Sequence, residues 1–220
     1  MTLDSIEKAR NNMVEQQVRP WQVEDARVLA LLAKIRREDF VPTAFKSLAF
    51  ADFAIPLGHG QRMLEPRIQA RLIQDASVQG TDIVLEIGSG TGYMTALLAQ
   101  QAAKVISYEI NPDLAEQARR CLISAKIDNV EVRTADGALS APADGPFDVI
   151  VLGGSVQSVP QALLQQLKIG GRLVGIVGGE PIMHAQTITR SGVESFQTIE
   201  RWDDNAPALL NFPTQSNFRF

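Results

Sequence analysis

The 220 residues include one cysteine, two histidines, two tryptophans and two tyrosines. A single thiol, Cys121, excludes an internal disulfide framework and fits a reducing, cytoplasmic setting. It sits in Glu116-Gln-Ala-Arg-Arg-Cys-Leu, an ordinary helical context, and reads as structural. His59 and His184 stand apart with no Cys/His cluster around them, so no metal site is expected. No apolar run reaches membrane-spanning length, and residues 1–19 are too rich in charge and amide for a signal peptide. A basic excess is also missing: the net charge of −4 argues against general nucleic-acid binding. Internal repeats and low-complexity tracts are absent. What is present is 45% apolar residues, enough core for one large α/β domain, in a chain too short for two comfortable ones.

One stretch organises the rest. Val84-Leu-Glu-Ile-Gly-Ser-Gly-Thr-Gly-Tyr93 reads as a buried strand, a glycine turn and the start of a helix. Glycines let backbone approach a ligand closely, and the first helical turn offers free N–H groups. The spacing is G-x-G-x-G, with Glu86 two residues before the first glycine. It differs from the G-x-G-x-x-G of dinucleotide folds, which disfavours a dehydrogenase. It looks like the first motif of S-adenosylmethionine (SAM)-dependent methyltransferases. The strand Lys104-Val-Ile-Ser-Tyr-Glu109 ends in an acid 17 residues after Gly92, placed to accept hydrogen bonds from both ribose hydroxyls. Asp136-Gly137 follows a third strand, 130–134, where an acid suits the exocyclic amine of adenine. Each carboxylate alone reads equally as a solvated loop acid. Three at the ends of three successive strands point to a ligand site.

Along the chain, residues 4–17 show helical spacing, with Asp4 as cap, Pro20 as stop and Trp21 anchoring the turn. A second helix spans about 24–36, and Arg36-Arg37 reads as its solvated last turn, favoured by the helix dipole. Residues 49–66 lack periodicity and carry Pro56, Gly58, Gly60 and Pro66; they read as an ordered loop over the ligand site. A helix follows over 66–76. The pattern then alternates: strand 82–87, helix 93–101, strand 104–109, helix 112–126, strand 130–134, strand 147–153, helix 158–167, strand 171–178. Segments 185–190 and 195–202 alternate in period two and read as an antiparallel pair at a sheet edge. The expected fold is α/β: a doubly wound, mostly parallel, Rossmann-like sheet with N-terminal helices and a C-terminal antiparallel strand pair. The expected organisation is a single domain over 1–220. Residues 1–78 form helices and a substrate-side loop, 79–180 the SAM-binding core, and 181–220 the edge strands and tail.

Over residues 8 to about 178 the chain resembles protein-L-isoaspartate O-methyltransferases. Four stretches carry the resemblance: Asp25-Ala-Arg-Val-Leu to Glu38-Asp-Phe-Val-Pro42, Ala49-Phe-Ala-Asp52 with Ile55-Pro-Leu-Gly58 and Gly60-Gln61, Val84 to Tyr93, and Leu167-Lys-Ile-Gly-Gly-Arg-Leu-Val174. The resemblance implies SAM as methyl donor, S-adenosyl-L-homocysteine as product, and methylation of the side carboxylate of isoaspartyl residues in damaged proteins. It implies cofactor binding by Glu86, Gly88, Ser89, Gly90, Thr91, Gly92, Tyr93, Glu109, Ile110, Asp136 and Gly137. The substrate-side candidates are His59, Gln61, Arg62, Met63, Leu64 and Glu65. Where that family follows Gly-Gln with Thr-Ile-Ser, this chain has Arg62-Met63-Leu64, so Leu64 stands at the serine position and no catalytic residue is assigned. Arg62 reads either as a grip on a carboxylate, or as a side chain that points to solvent or pairs with Glu65 or Asp52; His59 reads as a substrate contact, a base for a hydroxyl nucleophile, or merely exposed.

Two alternatives stay open: a methyltransferase of this fold with a different small-molecule or protein acceptor, and a SAM-binding protein without isoaspartyl activity. The expected partner is an isoaspartyl protein or peptide, or a small carboxylate, with no nucleic acid, no membrane and no metal. The chain is expected to be a monomer or homodimer.

Overall fold

The computed structural model describes residues 3–139 and 144–214. Helix α1 (Leu3–Asn12) runs into a wide π-helical turn at Met13–Val18 and a tight turn at Arg19–Trp21. Asp4 thus lies inside the first turn of α1. Trp21 is 44% exposed and meets the body by stacking with the Arg67 guanidinium, 4.3 Å from the ring centroid. Helix α2 (Ala26–Lys34) is capped by Asp25, whose Oδ1 accepts from the Arg27 N–H at 2.8 Å. It buries Val28, Leu29 and Leu32.

The Arg36-Arg37 expectation divides. Arg36 is exposed, but Arg37 is 0% exposed, because α2 stops at Lys34 and the next turn folds Arg37 inward. The ordered loop expected over 49–66 also contains regular structure that its sequence does not announce. Residues Ile55–Gly58 (β1) and Gln61–Met63 (β2) form an antiparallel hairpin, turning through Gly58-His59-Gly60. Strands of four and three residues are too short for a period-two pattern to register. Helix α3 (Pro66–Ala76) follows, with Pro66 in its first turn and Ile68, Leu72 and Ile73 inward.

The main sheet has seven strands. In chain order they are β3 (Ile83–Ile87), β4 (Lys104–Glu109), β5 (Val130–Thr134), β6 (Phe147–Val156), β7 (Leu167–Gly179), β8 (Ile182–Arg190) and β9 (Phe196–Asp203). In space they are ordered β5-β4-β3-β6-β7-β8-β9. The first five are parallel, and β8 and β9 add antiparallel at one edge. Crossovers use α4 (Tyr93–Ala99), α5 (Pro112–Ser124) and the short α6 (Gln161–Leu164). Asn111 caps α5, its Oδ1 accepting from the Asp113 and Leu114 N–H groups. The helix expected over 158–167 shrinks to one turn, since β7 begins already at Leu167 beside Phe147.

Apolar residues fill both faces of the sheet. Val84, Val105, Val149 and Val174 face one core with α3, α4 and the N-terminal helices. Leu85, Ile106, Ile150 and Leu173 face the other with Leu163 and Leu164. Burial on both faces is why these strands read as continuous apolar runs. The chain builds outward from β3 to β5, then returns to lay β6 on the other side of β3. The reversal opens a crevice at the carboxyl ends of β3 and β6, the usual ligand position in such sheets. Among the described residues, no helix is long and apolar enough to cross a membrane.

Candidate active site

The crevice is floored by the glycine turn. Gly88 and Gly90 have φ of 92° and 54°. A Cβ on Gly88 would stand 2.8 Å from Leu209 Cδ2, and one on Gly90 would stand 2.9 Å from Leu57 Cδ1. Backbone conformation and close approach therefore both call for glycine there. The turn is pinned to β4: the Tyr108 carbonyl accepts from the Gly88 N–H at 2.7 Å and the Ser89 N–H at 3.3 Å.

Glu86, Glu109 and Asp136 do lie at the ends of three adjacent strands, in three different environments. Glu86 is fully buried beneath the turn. Its Oε2 accepts from the Ser107 and Thr95 hydroxyls, both at 2.5 Å, while Oε1 has no partner. Ser107 Oγ lies 2.5 Å from Ser89 Oγ. Because the Ser107 proton goes to Glu86, Ser89 is the donor in that pair. A hydroxyl chain thus links the crevice wall to a buried carboxyl. Burial pushes the Glu86 pKa up to about 7, against the two hydroxyl bonds, and Glu109 adds to the rise.

A carboxyl whose pKa is higher folded than unfolded stabilises the fold at low pH and loses that contribution as pH rises. Folding stability is therefore expected to fall between pH 4.5, the ordinary value, and about 7. Glu86→Gln should flatten that slope in urea unfolding measured across this range. An unchanged slope would assign it to other groups.

Glu109 is also buried, which raises its pKa, and backbone N–H groups of Asn111, Gly90 and Ile110 oppose the rise. Its Oε2 accepts from Gly90 N–H at 2.8 Å and its Oε1 from Asn111 N–H at 3.0 Å. The acid is held rigidly at the lip of the crevice with lone pairs to spare. Asp136 Oδ1 accepts from Ala138 N–H at 2.9 Å and Oδ2 from Asn211 Nδ2 at 2.7 Å.

Two adjoining clefts share Gly88. The first is lined by Glu109, Ile110, Asp136 and Gly137, together with Leu209, Leu210 and Phe212. The second lies between Ser89, Gly90, Thr91 and Tyr93 on one side and Leu57, Arg62, Met63 and Leu64 on the other. Gln69, Met94 and Gly153 complete its lining. The unpartnered, buried Thr91 Oγ1 belongs to this wall. Gly92 instead closes the turn against α5, with Ala118 and Leu122 near the position of its missing Cβ.

The substrate-side candidates separate. Arg62, Met63 and Leu64 line the second cleft, and Gln61 lines the first. Glu65 precedes α3, its carbonyl accepting from Gln69 N–H. His59 sits exposed at the hairpin tip, away from both clefts, with Nε2 3.4 Å from Asp113 Oδ2. Asp52 pairs with Arg67, leaving Arg62 unpaired by it.

Two groups escape sequence reasoning. Arg37 donates to the Ala49 carbonyl at 2.9 Å, the Leu64 carbonyl at 2.7 Å and the Gln69 side-chain carbonyl. Its guanidinium stands 4.9 Å from the Tyr93 ring centroid, and burial pushes its pKa down to about 10. A helix ending before Arg37, and a glutamine on the apolar side of the next helix, were the available signals. The second group is the C-terminal segment. Ser155 donates through N–H to the Pro207 carbonyl and accepts from the Leu209 N–H, both at 2.8 Å. The Ser155 hydroxyl bonds the Ala206 carbonyl at 2.7 Å.

The geometry has counterparts among known proteins. The profile of a family described as "Protein-L-isoaspartate(D-aspartate) O-methyltransferase (PCMT)" matches residues 8–201. A Methanoculleus marisnigri protein named protein-L-isoaspartate O-methyltransferase is 42% identical over 178 residues, 81% of each chain. A Myxococcus xanthus protein of the same name is 44% identical over 185 residues, covering 80% of this chain and 87% of that one. A solved Plasmodium falciparum structure, described as a beta-aspartate methyltransferase in complex with S-adenosyl-L-homocysteine, superposes with a TM-score of 0.77. It covers 91% of this chain and 97% of its own at 20% identity, a likeness of fold.

Proposed function

The chain belongs to the protein-L-isoaspartate(D-aspartate) O-methyltransferase family, and from that premise we propose that it methylates the free carboxylate of isoaspartyl residues in damaged proteins, with SAM as donor. Family and fold make it a SAM-dependent methyltransferase. The residues at the crevice fit that cofactor. Glu109 offers carboxylate oxygens to ribose hydroxyls, Asp136 and Gly137 border the place for adenine, and the Gly88–Thr91 turn takes the amino-acid end. The cradle at Gly88 and Gly90 that a Cβ would fill, and the buried, unpartnered Thr91 Oγ1 in the cleft wall, support the assignment, while Glu86 lines neither cleft and acts from beneath the turn.

One observation carries the choice of acceptor. Among the described residues lining the hairpin-side cleft there is no carboxylate, histidine or lysine. Tyr93, which does line it, has its pKa pushed up to about 12 by burial. An amine or alcohol acceptor would find no base there. A carboxylate is ionised at neutral pH and needs none. SAM supplies a methyl group already activated by its sulfonium. The chain's task is then to align the acceptor and exclude water, for which Leu57, Met63 and Leu64 provide an apolar wall.

A second reading, a different carboxylate acceptor, is favoured by Leu64. It is 2% exposed and puts an apolar side chain where the family has a hydroxyl. The deciding experiment is methyl transfer from labelled SAM to an isoaspartyl peptide, with the matching aspartyl peptide as control and SAM binding confirmed on the same sample. Transfer to the isoaspartyl peptide alone is expected. Transfer to neither, with SAM bound, would reject the isoaspartyl acceptor.

A further inference from the structure

The acceptor cleft carries one charged side chain, Arg62. Its situation differs from that of every other described arginine. Arg19, Arg27, Arg36, Arg119, Arg120 and Arg133 each pair with a carboxylate at or near the surface. The others bond carbonyls, hydroxyls, acids or amides, and Arg67 and Arg71 stack on tryptophans. Among the described arginines, Arg62 alone makes no side-chain hydrogen bond, ion pair or ring contact. The nearby acids make no ion pair with it. Asp52 and Asp204 both pair with Arg67, and Glu65 Oε2 is buried. Arg62 follows Gln61 on β2, opposite Pro56, which gives it no polar side chain across the hairpin.

Arg62 shares the lining of this cleft with Leu57, Met63 and Leu64, and its exposed, unpaired guanidinium gives the cleft a preference for an anion. Guanidinium N–H groups match a carboxylate better than any other side chain does. We propose that Arg62 is the specificity-determining residue for the acceptor: it binds the acceptor carboxylate at the place where the family has a hydroxyl side chain. The inference rests on the methyltransferase reading above and adds a recognition group to it. Binding through one oxygen leaves the second oxygen free to face the methyl carbon. A grip on both oxygens would blunt the nucleophile, so selectivity and rate depend on the same side chain.

The test is a titration with a second readout in turnover. An isoaspartyl peptide and its carboxamide twin are titrated calorimetrically into full-length protein saturated with S-adenosyl-L-homocysteine. Wild type, Arg62→Met, Arg62→Lys and the double variant Arg62→Thr with Leu64→Ser are compared. Arg62 is exposed and unpaired, so its replacement leaves the fold intact, which thermal melts verify. Wild type should prefer the carboxylate over the amide by about 10-fold or more, as for a charge-assisted hydrogen bond. Arg62→Met should erase the preference and raise KM for the peptide by the same factor, with S-adenosyl-L-homocysteine affinity unchanged. Arg62→Lys should restore part of it, and the double variant should regain it through hydroxyls.

An unchanged preference in Arg62→Met overturns the proposal and leaves the isoaspartyl activity standing. Loss of S-adenosyl-L-homocysteine affinity in that variant, with peptide binding intact, also overturns it, by assigning Arg62 to the cofactor. If wild type neither binds nor methylates the peptide, the isoaspartyl acceptor falls. Succinate and succinamide then replace the two peptides: an Arg62-dependent preference for succinate supports the proposal, and its absence overturns it.

Discussion

Arg37→Ala is expected to destabilise the protein by about 3–5 kcal/mol, the largest loss of any single substitution considered. Three buried oxygens depend on this one side chain: the Ala49 carbonyl, the Leu64 carbonyl and Gln69 Oε1. Leaving a buried acceptor unsatisfied costs about 1–3 kcal/mol, and the removed guanidinium also leaves a void against the Tyr93 ring. Arg37→Lys should lose less, because an ammonium supplies donors but not in the planar fork that these three directions require. Urea unfolding of both variants reads the effect. A loss below about 1 kcal/mol for alanine would mean that the carbonyls reach other donors. The variant should also disturb the acceptor cleft, since Leu64, Gln69 and Tyr93 all line it.

Glu109→Ala is expected to weaken S-adenosyl-L-homocysteine binding by about 30- to 100-fold, roughly 2–3 kcal/mol. Two contributions add. The carboxylate accepts from ribose hydroxyls in the proposed complex, and it already anchors the Gly90 N–H that shapes the glycine turn. Glu109→Gln should fall between, because its amide oxygen still accepts while its charge is gone. Since burial raises the Glu109 pKa, affinity should decline as the pH drops through that pKa and the acceptor oxygens are lost. Calorimetric titration at two pH values measures both effects. Unchanged affinity in the alanine variant would place the ribose elsewhere.

The parallel core was legible because its signals are local and repeated. Ile83 to Ile87 and Val149 to Leu152 are apolar runs bounded by glycine, and Pro112 and Pro66 mark helix starts. The acids at Glu109 and Asp136 could be placed because parallel strands bring their carboxyl ends together. Arg37 could not be placed: its partners lie 12, 27 and 32 residues away, and nothing in Arg36-Arg37 says which of the two turns inward. The hairpin at β1 and β2 escaped because pairing, rather than periodicity, defines so short a strand. The part of the cofactor-side wall made by Leu209 to Phe212 escaped for a similar reason. Its seat depends on Ser155, more than fifty residues earlier.

That C-terminal segment has a kinetic consequence. Residues 206–212 run beside the end of β6 and border the cleft holding Glu109 and Asp136, with Asn211 tied to Asp136 itself. On the reading proposed above, the nucleoside sits between this segment and the sheet. Its departure is then paced by how often a few hydrogen bonds at Ser155 and Asp136 open together, and not by the depth of its contacts. Residence time and affinity become separately adjustable. Removing the Ser155 hydroxyl, and with it the bond to the Ala206 carbonyl, would shorten the life of the product complex while leaving the groups on the sheet that border the nucleoside in place.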